Sequence, residues 1–456
     1  MHVPVPVPEL LAIAQEYLDA GRPEAAGRMA RHILAALPEQ PDALHLTGLA
    51  AFRGGHAGEA EALVARAAAA GLPAAWRTLA EIRRLQCRLE EALGAARHAI
   101  GLSPADPLAL FQLAMVLYDR QELPACIAAA RAALELRPGL AEAHMKLAQA
   151  LLASGDFAEG WAEYEWRWHI PGAPAPLPAT DRPMWNGAAL GGRLLLVADQ
   201  GYGDAIMFAR YLPWALARAP DAAVAASAEL HPLLHAIRPG LEIAARWEDV
   251  PGFAAWCPFS SLPLLHGTRL DTIPAAIPYL HPDPARAAAW QSRLAAALPP
   301  GHLRVGLAWA GRPIHPNDAN RSIPLSTLAP LAALPGIAFV ALQKGEAAAE
   351  ARHWPGPAPL LALDAELPGF EDTAALLPAL DLVLSVDTAV IHLAGAMGIP
   401  CWAMLPYAPD WRWMAAREDS PWYPTLRLLR PAAPRGWQGL VAEAARRLAA
   451  LACCGA

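Results

Sequence analysis

Four short stretches carry residue types that can do chemistry. The first, Asp199-Gln-Gly-Tyr-Gly-Asp204, follows an apolar run and opens a helical pattern. Gly201 and Gly203 allow a turn and close backbone approach, and free helix N–H groups there suit an anion or an oxygen-rich substrate. Asp204, at the helix start, suits a general base; the plain alternative is a carboxylate that only complements the helix dipole. The second stretch, Trp309 to Pro324, gathers His315, Asn317, Asp318 and Arg321 in one loop. Arginine matches a diphosphate because its fork donates two hydrogen bonds, whereas a solvated loop with Asx turns would need no ligand.

The third stretch is Ser385-Val-Asp-Thr-Ala-Val-Ile-His392. A buried strand ends at Asp387-Thr388 and a helix begins, which suits a phosphate or ribose; His392 lies one turn on, on the same face as Thr388. Simple helix capping and a packed histidine account for the same residues. The fourth is Leu342-Gln-Lys-Gly-Glu346, where Lys344 can meet phosphate charge and Glu346 a hydroxyl, or where the chain simply makes an exposed turn. His231 and His235 have metal-like spacing, but the glutamate of a zinc protease is missing and Pro232 adjoins the first histidine. No Asp-x-Asp occurs anywhere.

These stretches need scaffolds. In the first third, small residues recur in pairs: Ala14/Ala26, Gly48/Ala60, Ala80/Ala92, Ala114/Cys126 and Ala148/Gly160, with Pro38, Pro104 and Pro138 following at equal distance. Small residues mark close helix crossings and prolines mark breaks, so the pattern predicts five stacked helix pairs. Beyond them, 171–178 reads as an extended linker. Strand-like runs at 193–198, 222–226, 303–309, 339–342, 382–386 and 401–405 alternate with helical ones at 204–216, 231–237 and 389–396. That alternation predicts parallel sheets with ligand crevices at the carboxyl ends of their strands. A final amphipathic helix is expected at 435–451. Trp411, Trp413, Trp422 and Tyr423 could stack on a sugar or a base; clamping the C-terminal segment is the better reading.

The formal net charge of −7 excludes a basic nucleic-acid footprint. No apolar run is long enough to span a bilayer, and the start, Met1–Pro8, makes a poor signal peptide. The six cysteines are too few and too dispersed for a disulfide framework, which predicts a cytoplasmic protein.

The repeat pattern resembles the tetratricopeptide repeat. The region from about 181 to 430 resembles heptosyltransferase-type (family 9) glycosyltransferases, most specifically in 199–213, 372–406 and Pro406-Tyr-Ala-Pro-Asp-Trp-Arg-Trp413 with Ser420–Pro424. The whole chain looks like bacterial proteins that join the two. The resemblance implies an α + α/β chain: a tetratricopeptide solenoid at 1–170, a linker at 171–192, and a GT-B pair of Rossmann-like domains. The acceptor side would span 193–299 and the donor side 300–456. It implies inversion at the anomeric carbon, a nucleotide-diphosphate sugar as substrate, no cofactor and no metal. Asp204 would be the base, beside the acceptor loop of Gly201, Gly203, His315 and Asn317. Arg321, Lys344, Glu346, Asp387, Thr388 and His392 would bind the donor. Heptosyltransferases proper lack the repeats and act on lipopolysaccharide, so the acceptor here is expected to be a protein or glycan recruited by the repeat groove, such as a surface or flagellar protein. Two other readings compete: a repeat scaffold with an inactive transferase-like half, and a dinucleotide-dependent oxidoreductase.

Overall fold

The computed structural model describes residues 6–170, 172, 178–315 and 317–454. Most of the expected linker run at 171–178 therefore lies outside the described residues. The chain divides into two compact units between Leu151 and Leu152.

The first unit is a tetratricopeptide-like array of antiparallel helix pairs. Its helices are α1 (Val7–Asp19), α2 (Pro23–Ala36), α3 (Pro41–Arg53), α4 (Ala57–Ala69), α5 (Pro73–Leu85), α6 (Leu89–Leu102), α7 (Pro107–Asp119), α8 (Leu123–Leu136) and most of α9 (Ala141–Ser154). Proline opens α2, α3, α5 and α7, where its missing N–H costs no intrahelical bond. The paired small residues sit at the crossings. A Cβ on Gly48 would lie 2.6 Å from Val64 Cγ2, so only glycine lets α3 and α4 approach this closely. Ala14, Ala26, Ala60, Ala80, Ala92, Ala114 and Cys126 are likewise fully enclosed.

The fifth pair departs from the sequence expectation of an array running to 170. Its second helix, α10 (Phe157–Tyr164), groups with the second unit. The reason is aromatic packing. Trp161 meets Trp411 edge-on at 5.2 Å between ring centroids and Phe208 at 6.3 Å, and Phe157 stacks on Trp422 at 5.7 Å. These large rings bury more apolar surface than a further alanine-rich helix would offer.

The second unit holds two fully parallel sheets. The first has the order β3-β2-β1-β4, with β1 (Leu194–Val197), β2 (Ala222–Ala225), β3 (Glu242–Ala244) and β4 (Ala255–Pro258). The second has the order β10-β9-β8-β5-β6-β7, with β5 (Leu303–Ala308), β6 (Ile337–Ala341), β7 (Leu360–Ala362), β8 (Leu382–Val386), β9 (Cys401–Met404) and β10 (Leu426–Leu429). Counted from β5, that is the 3-2-1-4-5-6 order of a doubly wound sheet. Its core packs Val305, Leu307, Phe339, Leu384 and Val386 against Val441, Ala444 and Leu448 of the last helix, Trp437–Cys454. The helix Pro284–Ala297 goes with this second half: Arg286 ion-pairs with Glu371 at 2.7 Å and with Asp372, both on the helix Phe370–Leu376.

The single helix expected over 204–216 is three pieces. They are α11 (Tyr202–Phe208), a 3-10 turn at Ala209–Tyr211 and a new helix at Leu212–Arg218. Pro213 cannot donate into the preceding turn, so the helix restarts there.

Candidate functional site

In each sheet the strand order reverses beside the first strand, between β1 and β4 and between β5 and β8. A crevice opens where the connections leave in opposite directions. The Asp199–Asp204 stretch leaves the end of β1. The Trp309–Pro324 loop leaves β5, and Asp387-Thr388 leaves β8. Three of the four chemical stretches thus stand at switch points.

At the first switch point the buried Asp199 joins two strand ends. Its Oδ1 accepts from the Ser260 N–H at 3.1 Å and its Oδ2 from the Ser260 hydroxyl at 2.5 Å. Burial pushes its carboxyl up, against the pull of Arg167 and these bonds. Asp199 is therefore a brace. Asp204 faces outward from α11. Its Oδ2 accepts from the Gly201 N–H at 3.0 Å, closing a capping box, and its Oδ1 accepts from Arg412 Nη2 at 2.5 Å. Neither glycine takes a left-handed conformation; Gly201 has φ −67°. Gly203 is required by proximity instead, since a Cβ there would lie 2.8 Å from His392 Cδ2. That approach brings α11 against the helix Ala389–Ala396 of the other half.

At the second switch point, Thr388 caps the Ala389–Ala396 helix through Val390 N–H at 3.3 Å and meets the Ser385 hydroxyl at 3.1 Å. Asp387 is half-buried. Burial, then repulsion from Asp410, pushes its carboxyl up to about 6, against the Trp413 indole, Arg321 and Arg412. Arg321 donates to the Asp387 carbonyl at 3.2 Å and pairs with Asp318 at 3.2 Å. His392 is buried, with Nδ1 3.0 Å from the Tyr423 hydroxyl and its ring stacked on Trp413 at 5.1 Å. Burial, with Arg412 and Arg210 nearby, drives the imidazole well below its ordinary value, so it is neutral. It packs and positions, as capping and packing alone would have it.

His315 is solvent-exposed and accepts from the Asn317 N–H through Nδ1 at 3.1 Å. Partial desolvation and the Arg321 charge lower its imidazole, while Asp410, Asp318 and Asp204 pull the other way. The Asn317 side chain accepts from Asn320 at 2.8 Å. Lys344 and Glu346 stand apart on an exposed turn after β6, and the Lys344 amine donates to the Asp364 carbonyl.

Sequence reasoning passed over three residues. Gln343 is buried after β6; its Oε1 accepts from both Trp309 N–H and Ala310 N–H at 2.9 Å, fixing the base of the polar loop. Asp410 and Arg412 sit inside an aromatic run. Arg412 is 7% exposed and lies over the Trp411 ring at 4.2 Å; besides Asp204 it bonds Asp410 Oδ1 at 2.7 Å. Burial opposes its charge, and Asp410 and Asp204 outweigh burial. Opposite charges among tryptophans are the signal that was available, because an unpaired charge is too costly to bury there. Trp411, Trp413, Trp422 and Tyr423 are themselves enclosed, so they clamp the segment.

Among the described residues no group of three or more His, Cys, Asp and Glu is arranged to hold a metal ion, and no helix is long and apolar enough to cross a membrane. His231 Nε2 pairs with the Ala226 carbonyl at 3.0 Å.

No protein-family model matches the chain. Similar solved structures include MamA (17% identical, covering 36% of this chain and 94% of that one, TM-score 0.30). Others are a thermophilic TPR protein of Thermus thermophilus (21%, 36% and 91%, TM-score 0.33) and YrrB, a TPR protein with an unusual peptide-binding site (18%, 34% and 82%, TM-score 0.28). Over 471 residues the chain is 31% identical to protein FlbA of Caulobacter vibrioides, an alignment that takes in 94% of this chain and 76% of that protein. With that identity along most of both sequences, the chain belongs to the family of the Caulobacter FlbA protein.

Proposed function

We propose that the second unit is an inverting glycosyltransferase of GT-B type, moving a sugar from a nucleoside diphosphate to an acceptor hydroxyl. The acceptor would be a protein or glycan recruited by the helical repeats. The observation that carries this reading is the meeting of the two switch points: Gly203 lies against His392 and Ala389, Asp204 is ion-paired to Arg412, and Arg321 holds the Asp387 carbonyl.

In the reaction, the acceptor oxygen forms its bond to the anomeric carbon as the bond from that carbon to the diphosphate breaks. The acceptor proton passes to Asp204, and the electron pair leaves on the diphosphate. Arg321 and the N–H groups at Asp387–Ala389 would stabilise that charge. Lys344 and Glu346 would act at the outer edge of the donor. The scheme needs neither metal nor cofactor.

The test is nucleotide release. Purified protein is incubated with UDP-, GDP-, ADP- and CMP-sugars and an acceptor-rich lysate. Release from one donor, abolished in Asp204→Asn, supports the transferase. One observation favours a second reading, a nucleotide-binding scaffold without catalysis: both Asp204 oxygens are already engaged. Nucleotide binding without release from any donor would select that reading.

A further inference from the structure

We propose that Arg412 is an exchangeable anion clamp: its guanidinium, bonded to Asp204 and Asp410, takes the diphosphate of a nucleotide in exchange for Asp204. The inference rests on the transferase reading for the identity of the ligand.

Arg412 is buried, yet its guanidinium is only partly used. Nη2 binds Asp204 Oδ1 and Nη1 binds Asp410 Oδ1, while Nε is buried with no hydrogen-bond partner. A guanidinium offers five donors in a planar fork that matches phosphate oxygens two at a time. A buried donor left without a partner is costly, and a rearrangement that gives it an acceptor is favoured. The place is also right. Arg321 donates to the Asp387 carbonyl at 3.2 Å, and a Cβ on Gly203, next to Arg412's partner Asp204, would lie 3.5 Å from Ala389 Cα, so both arginines are anchored near the start of the Ala389–Ala396 helix. An anion seated on the free N–H groups of that helix would lie between them.

The two carboxylates on Arg412 are not equivalent. Asp410 is local: it also accepts from the Arg412 N–H at 3.0 Å, so side chain and backbone are fixed together. Asp204 comes from the other half of the unit and makes one hydrogen bond with Arg412, against two for Asp410. With two carboxylates against one guanidinium, an arriving diphosphate displaces the less constrained one. Asp204 Oδ1 is then free to take the acceptor proton. Loading the donor unmasks the base, so the acceptor hydroxyl is activated only when a sugar is in place to receive it.

A purely structural role for the pair predicts something different. Neutralising Asp204 would then weaken the interface and lower affinity for any ligand of the cleft. Exchange predicts the reverse, because Asp204→Asn removes the competitor. The experiment is calorimetric titration of the full chain with UDP, GDP, ADP and inorganic pyrophosphate. For the nucleotide that binds, Asp204→Asn is expected to tighten affinity by roughly 5- to 10-fold, and Arg412→Lys, which keeps the charge and loses the fork, to weaken it by ~10-fold or more. If Arg412→Lys fails to fold, the gain in Asp204→Asn still decides, since misfolding cannot produce tighter binding. Unchanged or weaker binding in Asp204→Asn, or wild-type affinity in Arg412→Lys, overturns the clamp and leaves the transferase reading standing. A wild-type protein that binds none of the four probes overturns both.

Discussion

Replacing Gly203 by alanine tests whether the two halves are set by backbone proximity. The new Cβ would lie 2.8 Å from His392 Cδ2. Carbon atoms pack at about 3.5–4.0 Å, so roughly 0.7 Å or more must be found. His392 cannot supply it. Its Nδ1 is held by the Tyr423 hydroxyl at 3.0 Å and its ring by the stack on Trp413. Tyr423 cannot retreat either, because its ring already lies within 2.5 Å of where a Cβ on Gly395 would stand. Overpacking of this kind costs about 1–3 kcal/mol, and the better helix propensity of alanine returns less than about 1 kcal/mol in a first turn. The net loss of ~1–2 kcal/mol corresponds to a Tm lower by roughly 2–6 °C in a unit of this size. Because α11 carries Asp204, nucleotide release should fall by ~10-fold or more at temperatures where the protein remains folded. Calorimetry and the release assay measure both. Gly94→Ala is the control: nothing lies within 4 Å of its Cβ, and it should stabilise by about 0.5–1 kcal/mol. A Gly203→Ala protein that melts at or above the wild-type temperature would refute the argument from proximity.

Three further outcomes are expected. Arg321→Ala removes the bond to the Asp387 carbonyl and should weaken nucleoside-diphosphate binding by ~10- to 100-fold, whereas Lys344→Ala, on its exposed turn, should change it by less than about 3-fold; titration calorimetry compares them. Asp387, with its carboxyl raised to about 6, is mostly ionised at pH 7 and repels a diphosphate; affinity should rise up to ~10-fold between pH 7 and 5, and Asp387→Asn should lose that component when both proteins are titrated with the same nucleotide. In the repeat array, burial, then Arg77, lowers His45 to about 4 against the pull of Asp42. The unfolded chain takes up this proton below about pH 6.5 and the folded one does not, so stability is lost as pH falls through that window, by ~2 kcal/mol at pH 4.5. His45→Gln should remove the loss in denaturant titrations at pH 7 and 4.5, and an equal pH dependence in both proteins would contradict it.

The sequence made the local physics readable. The pairing of Gly48 with Ala60 and Ala80 with Ala92 announced helix crossings because a close approach leaves no choice of side chain. Strand runs such as Leu382–Val386 were visible because a parallel sheet buries both faces. The short strands were not: β3 and β7 are three residues each, too brief for any period. The break after Leu151 and the break in the Asp204 helix were hidden for a different reason. Aromatic packing by Trp161 and the restart at Pro213 overrode a continuous helical pattern. Asp204 and Asp387 stood out as candidates because each follows a strand end where a helix begins, and Arg321 because it is a cation in a polar loop. Arg412 could not be paired with Asp204 from spacing, since the two lie 208 positions apart. The aromatic run around Arg412 disguised a charge as part of a packing segment.

Two buried arginines cross between the halves of the second unit, and their partners differ in kind. Arg210 donates to the carbonyls of Met207 and Trp422, each at 3.0 Å, and sits over the Tyr423 ring at 4.9 Å. Those acceptors are neutral backbone and π-faces, fixed by the fold, and no ligand can compete with them without unfolding the segment. Arg412 instead meets two carboxylates and has one nitrogen, Nε, with no hydrogen-bond partner. Carboxylate and phosphate are interchangeable partners for a guanidinium, so this second contact is open to competition by an anion. The interface therefore separates two tasks physically: Arg210 holds the 420–424 segment in place whatever the state of the cleft, and Arg412 can change partner without loosening it. Truncating Arg210 should accordingly lower Tm, whereas neutralising Asp204 should alter ligand affinity at nearly constant Tm.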